Sequence, residues 1–304
     1  MSIIFFGPWT GEFGYELSYW IGECRAIRDR YPDHKAVASS YFGRARLYDF
    51  VDEFLPHTLN SINIAQNVCM SSGTGVILNE KVHRYLRSPE CIHIAPGSVY
   101  EGLKLGGGHG HAQIKESVSF QKSQTLTASD WALNTVGLMA KGKPIVSILC
   151  RDLVFSGHHV HKWSEESWLS LIRLLQSDGF CVALLLPGYS SKPSYFSKGD
   201  GEAVSLWKMF GDSENFVDLQ IAFLKKSVCS VATVSGAVMY GYLVDNPFIY
   251  MLATDNVCYR ELYDVWRSPY KNQVQYLFGR GSVESISVDA CYRKVKENCG
   301  SAVN

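Results

Sequence analysis

The sequence predicts an α/β protein built as two successive halves, each around an open parallel sheet. Strand and helix patterns alternate along its 304 residues. The strand candidates are short, continuous apolar runs such as Ile3, Ile4, Phe5 and Phe6, the pattern of strands buried on both faces, rather than apolar–polar alternation. Each half also opens with a strand that runs into a loop carrying chemically active side chains, which is where open α/β sheets keep their ligands.

In the first half, the strand at 3–6 is ended by Gly7 and Pro8, and Trp20, Ile21, Cys24 and Ile27 then recur at helical spacing. KAVASS (35–40) reads as a second strand. ARLYDFVDEFL (45–55) reads as a helix through Leu47, Phe50, Val51, Phe54 and Leu55, and GVILN (75–79) and CIHIA (91–95) read as short strands. From Pro96 to Leu126 the chain is glycine-rich and without periodicity, a pattern expected of a long functional loop. Its His109 and His111 make an HxH pair with no third ligand nearby, so no metal site is assigned.

SDWALNTVGLMAKGK (129–143) is a capped helix ending at Gly142, and it marks the boundary between the halves. PIVSILCRD follows as a strand. SEESWLSLIRLLQSDGF is an amphipathic helix with Ser164 as its N-cap. CVALLLPG is a buried strand, FVDLQIAFLKKS a helix and CSVATVS a strand. AVMYGYLVD is a helix, NPFIYMLAT a strand, and VDACYRKVKENC a final helix expected to pack back on the first half. The expected organisation is residues 1–128, a linking helix at 129–143, a second domain at 144–280 and a C-terminal helix within 281–304.

Hydrophobic residues make up 46% of the chain, enough for two cores, and 29 basic residues balance 29 acidic ones. Zero net charge excludes a global attraction to nucleic acid or anionic membrane, so any such partner would be met by a local patch. Nine cysteines without CxxC spacing sit mostly in apolar runs, as reduced core residues do. No apolar run reaches the ~18 residues that span a bilayer, and the expected location is the cytoplasm.

The first candidate site is the loop after the opening strand. Gly11 and Gly14 let the backbone turn tightly around Phe13 and Tyr15, and Glu12 and Glu16 supply two carboxylates beside a helix start. Either carboxylate is a candidate general base, and both also suit the positive end of a helix dipole. In the second half, a strand delivers Arg151 to its end, and His158, His159, His161 and Lys162 follow before the next helix. Arginine's planar fork and lysine's mobile charge match phosphate oxygens. Ser235 and Gly236 then open a helix that runs through Tyr240, where free backbone N–H groups form a second candidate phosphate cradle.

GEFGYEL before a Trp-containing helix, ARLYDFVDEF, the Arg-bearing strand before HKWSEESWLSLIRLLQSDGF, and SGAVMYGYLVDNPFIY together resemble GT-B glycosyltransferases. The likeness is to bacterial and phage members with an N-terminal GxFGxEL loop and, more distantly, to heptosyltransferases. It implies two Rossmann-like domains facing across a cleft, with the acceptor held by Gly11, Phe13, Gly14 and Tyr15. The donor nucleotide sugar would be held by Arg151, His158, Lys162, Ser235, Gly236 and Tyr240. The implied reaction is metal-independent sugar transfer to an acceptor hydroxyl of a glycan or lipid-linked sugar, with no cofactor; Glu12, in the loop proper, is the first candidate for base, and Glu16, one turn on, is the alternative base or an anchor of the loop. The chain departs from heptosyltransferases in carrying Tyr15 where their glycine loop carries Asp. Two further readings stay open: a phage enzyme that glycosylates a modified DNA base, and a non-catalytic sugar- or nucleotide-binding protein. A nicotinamide-dependent oxidoreductase is disfavoured because no GxGxxG follows a strand.

Overall fold

The computed structural model describes residues 2–10, 13, 16–59, 76–96, 125–150, 162–185, 201–211, 213–234, 239–244, 248–255 and 273–299. The chain divides into two units, Met1–Gln124 with Asp212–Val217, and Thr125–Gly211 with Asp218–Asn304.

The first unit is built on a five-stranded sheet of β1 (Ile3–Phe6), β2 (Lys35–Tyr41), β3 (Glu53–Leu59), β4 (Val76–Ile77) and β5 (Cys91–Ile94). Its order is β4-β3-β2-β1-β5, parallel except for the β3–β4 pair. Ile4, Phe5 and Phe6 are fully buried, as a continuous apolar run at the centre of a parallel sheet requires. On one face Phe5, Val37 and Leu55 form a core with Val82 of α2 (Glu80–Arg87), and the Tyr85 ring stacks on Phe5. The helix pattern at 20–27 is realised as a π-helical turn (Glu16–Trp20) running into α1 (Ile21–Arg28).

One expectation for this unit needs correction, and one helix has no counterpart in the sequence reading. The segment 45–55 is not a helix: a 3-10 turn (Ala45–Tyr48) ends at Asp49, and Glu53 begins β3. The strand wins because Asp52 accepts a hydrogen bond from the Ala36 amide and because Glu53 to His57 pair in register with Val37 to Tyr41. Pro56 also removes a donor that a helix interior would need. The helix α2 was missed, although Asn79 caps it by accepting from the Lys81 amide.

The second unit holds a six-stranded, wholly parallel sheet of β6 (Ile145–Leu149), β7 (Cys181–Leu184), β8 (Val204–Ser205), β9 (Ser227–Thr233), β10 (Phe248–Thr254) and β11 (Gln273–Gly279). The order β11-β10-β9-β6-β7-β8 is that of a doubly wound sheet, whose chain reverses direction of growth between β6 and β9. The expected helix at 129–143 is α3 (Asp130–Ala140), capped by Ser129. Its end is marked by Lys141 and Gly142 with φ of 53° and 76°. It lies in the second unit.

The helix α4 (Glu165–Ser177) starts on Ser164, whose hydroxyl accepts from the Ser167 amide as the sequence predicts. α5 (Leu206–Phe210), α6 (Phe216–Lys226) and α7 (Met239–Leu243) follow. The final helix α8 (Val288–Cys299) packs on α4 and β9 of its own unit. There Tyr292 donates to Asp178 at the end of α4, and Lys296 pairs with the same carboxylate at 2.8 Å. Six of the seven described cysteines are buried, and all seven are free thiols. Among the described residues no helix is long and apolar enough to cross a membrane.

Candidate functional site

In each unit the stretches singled out from the sequence follow the carboxyl ends of strands on either side of the point where strand order reverses. In the first unit that point lies between β1 and β5. The loop leaving β1 is pinned to both neighbours: the Gly7 amide donates to the Ile94 carbonyl at 3.0 Å and the Trp9 amide to Ser39 at 2.9 Å. The His93 ring nitrogen Nε2 also lies 2.7 Å from the Gly7 carbonyl oxygen. Gly7 has φ of 108°, and a Cβ there would stand 2.6 Å from the Ser39 carbonyl oxygen, so the close approach demands glycine.

Of the loop residues expected to act, Gly11, Glu12, Gly14 and Tyr15 lie outside the described residues. Phe13 and Glu16 are described, and both are buried. Glu16 is wholly enclosed, with both carboxylate oxygens engaged. Oε1 accepts from Ser40 and, at 2.6 Å, from the Tyr48 hydroxyl, and Oε2 pairs with Arg44. Arg44 is itself 2% exposed, and its guanidinium carbon lies 4.7 Å from the Phe13 ring centre and 4.5 Å from that of Tyr41. Burial, and then the Glu16 charge, push the Tyr48 phenol well above its usual range, so it stays a donor.

A second buried group supports the same loop. The His57 ring on β3 has Nε2 2.9 Å from the Trp9 carbonyl and Nδ1 3.0 Å from Ser39 Oγ. Burial, and then the nearby Arg44 charge, lower its pKa to about 4, so the ring is neutral at pH 7. Nε2 therefore carries the proton and donates to Trp9, and Nδ1 accepts from the Ser39 hydroxyl. The Trp9 ring stacks on Trp20 at 5.7 Å. These ordering contacts from Ser39, Ser40, Arg44, Tyr48 and His57 were missed from sequence. Gly43, at φ of 83° just past β2, is the one signal that the chain turns there to deliver Arg44.

In the second unit β6 and β9 are neighbours, with Leu149 paired to Ala232. Arg151 follows the buried Cys150 at the end of β6, and Ser235 and Gly236 follow Val234 at the end of β9. Arg151, His158, Ser235 and Gly236 lie outside the described residues. Lys162 is exposed and immediately precedes Trp163, which is buried and donates to the Ile286 carbonyl at 3.0 Å. Tyr240, expected at the donor, is fully buried in α7.

No family model matches the chain, and no curated protein matches its sequence. Among solved structures it is similar to the glycosyl transferase family 9 protein from Veillonella parvula DSM 2008, with a TM-score of 0.61 at 8% identity, covering 99% of this chain and 96% of that one. It is similar to E. coli ADP-heptose LPS heptosyltransferase II, with a TM-score of 0.61 at 12% identity over 100% of both chains. A third likeness is to E. coli heptosyltransferase WaaC with ADP-2-deoxy-2-fluoro heptose, TM-score 0.52 at 13% identity, covering 97% and 99%. The two parallel-sheet units therefore have the α/β fold of GT-B glycosyltransferases.

Proposed function

We propose that this chain transfers a sugar from a nucleotide-diphosphate donor to an acceptor hydroxyl. One observation carries the reading: β6 and β9 are adjacent at the strand-order reversal of the second unit. The segment from Arg151 to Lys162 and the one opened by Ser235 and Gly236 thus start from neighbouring strand ends, where doubly wound sheets bind nucleotides. Arg151 and Lys162 would pair with the diphosphate, and the Ser235–Gly236 backbone would donate to it. His158 would lie among these donors, and the buried Tyr240 would seat α7 rather than touch the ligand.

In the reaction the acceptor oxygen attacks the anomeric carbon, and the bond from that carbon to the β-phosphate oxygen breaks. The nucleoside diphosphate leaves with the electron pair, its charge met by Arg151, Lys162 and the backbone donors without need of a metal. The acceptor proton passes to a carboxylate. Glu12 suits this task because both oxygens of Glu16 are already committed to Arg44, Ser40 and Tyr48 in a closed interior. Glu16 is therefore the anchor of the loop and Glu12 its base, with Gly11, Gly14 and Tyr15 on the acceptor side; Phe13 is buried against Arg44 and would support the loop rather than touch the ligand.

The test is release of nucleoside diphosphate from a panel of nucleotide sugars differing in base and sugar, with and without acceptor glycans, lipid-linked sugars and hydroxymethylated DNA. Acceptor-dependent release from one donor supports the reading. A donor that binds yet is never turned over with any acceptor would make the chain a binding protein instead.

A further inference from the structure

Three described residues after β1, Thr10, Phe13 and Glu16, are each held by a side chain from the end of β2 or just past it, and one of these side chains serves two of them. The Thr10 carbonyl accepts from the Tyr41 hydroxyl at 3.0 Å. Phe13, in the middle of the loop, lies with its ring 4.7 Å from the Arg44 guanidinium. Glu16, at the loop's end, forms its ion pair with the same Arg44. The Tyr41 ring stands 4.5 Å from that guanidinium, so the group bonding Thr10 and the group bonding Glu16 are themselves in contact.

A buried ion pair is a poor source of net stability, since desolvating two charges offsets most of their attraction. A buried pair of this kind is better suited to fixing a geometry. Only arginine can do so here, because its planar guanidinium stacks on aromatic faces while its edge bonds a carboxylate. Lysine would keep the charge and lose the stacking plane.

We propose that Arg44 is a positioning residue: it holds Phe13 and Glu16, and the step assigned to Glu12, the residue next to Phe13 in the sequence, depends on it. The proposal rests on the reading of Glu12 as the base. A displacement of about 1 Å in a reacting group costs on the order of 100-fold in rate. Loosening this clamp therefore lowers turnover and leaves donor binding, which belongs to the second unit, intact.

The experiment compares wild type, Arg44→Lys, Glu12→Gln and the double variant by steady-state kinetics, and by amide exchange of the peptide spanning residues 7–20. In Arg44→Lys, exchange in that peptide should speed up at least about 10-fold while peptides of α4 keep their rates. Its kcat should fall at least about 10-fold with donor KM within about twofold. In the Glu12→Gln background Arg44→Lys should cost nothing further, since the group it positions is already gone. Unchanged loop exchange in Arg44→Lys, or an equal loss of kcat in both backgrounds, would overturn the proposal. A faster loop combined with full turnover in Glu12→Gln overturns the base assignment and leaves the clamp standing. Should Arg44→Lys fail to fold, Phe13→Leu removes the stacked ring and keeps the ion pair. The same split between kcat and KM is then expected, and its absence counts against Arg44.

Discussion

Leu149 on β6 pairs with Ala232 on β9, so two segments far apart in sequence leave neighbouring strand ends. One begins with Arg151 and the other with Ser235 and Gly236. If these segments hold the donor diphosphate, Arg151→Ala should weaken nucleoside-diphosphate binding by about 10- to 100-fold, the value of roughly 1.5 to 3 kcal/mol for a charged hydrogen bond. Lys162→Ala should cost less, because Lys162 is exposed. Titration calorimetry with ADP, UDP and CDP gives both numbers, and wild-type affinity in both variants would return these cations to solvent-facing roles.

The two glutamates of the loop should separate by stability as well as by rate. Glu16→Gln leaves the Arg44 charge buried without its anion, a change worth about 3 to 5 kcal/mol for a broken interior pair. Glu12→Gln should leave stability near that of wild type and lower turnover by about 100-fold or more. Denaturant melts beside transfer rates check both, and equal stability losses would mean that both carboxylates serve the helix start.

His57 should make the fold acid-sensitive in a window set by its own titration. Its folded pKa of about 4 lies below the usual 6.5, so as pH falls through 6.5 the unfolded chain takes up a proton that the native one refuses. Stability from this group is whole above pH 6.5, declines as pH falls and is spent near pH 4. A shift of this size corresponds to about 3 kcal/mol. His57→Gln should flatten that part of the stability–pH curve, and an unchanged slope would remove His57 as its source.

Gly7→Ala should damage the first unit more than an alanine usually does. The position combines a φ of 108° with a Cβ site 2.6 Å from the Ser39 carbonyl oxygen, and that oxygen already accepts from the Trp9 amide. Strained backbone costs about 1 to 3 kcal/mol, and the clash adds to it. Thermal melts should show the loss, and a wild-type melting temperature would mean that the loop after β1 can yield.

Much of the fold was legible because buried parallel strands and capped helices write local signals: Ile3 to Phe6, Ser129 before α3 and Ser164 before α4 each behave as their residue types require. The strand β3 was not legible, since Leu47, Phe50, Val51, Phe54 and Leu55 fit helical spacing and only pairing with β2 makes the end of that stretch a strand. The same tertiary origin hid the candidate site's support. Glu16 announced itself as an acid beside a glycine loop, but its partners Ser40, Arg44 and Tyr48 come from 24 to 32 residues away, and no local pattern marks them. Strand adjacency at β6 and β9 likewise exists only once the sheet has formed.

The most direct test of the account is an amide-exchange footprint of the wild-type protein with and without the nucleoside diphosphate that most raises its melting temperature. Protection is expected in the peptides that cover residues 149–164 and 233–244, the two segments leaving β6 and β9, with β11 unaffected. Protection confined to other segments, or no nucleoside diphosphate that raises the melting temperature at all, would contradict it.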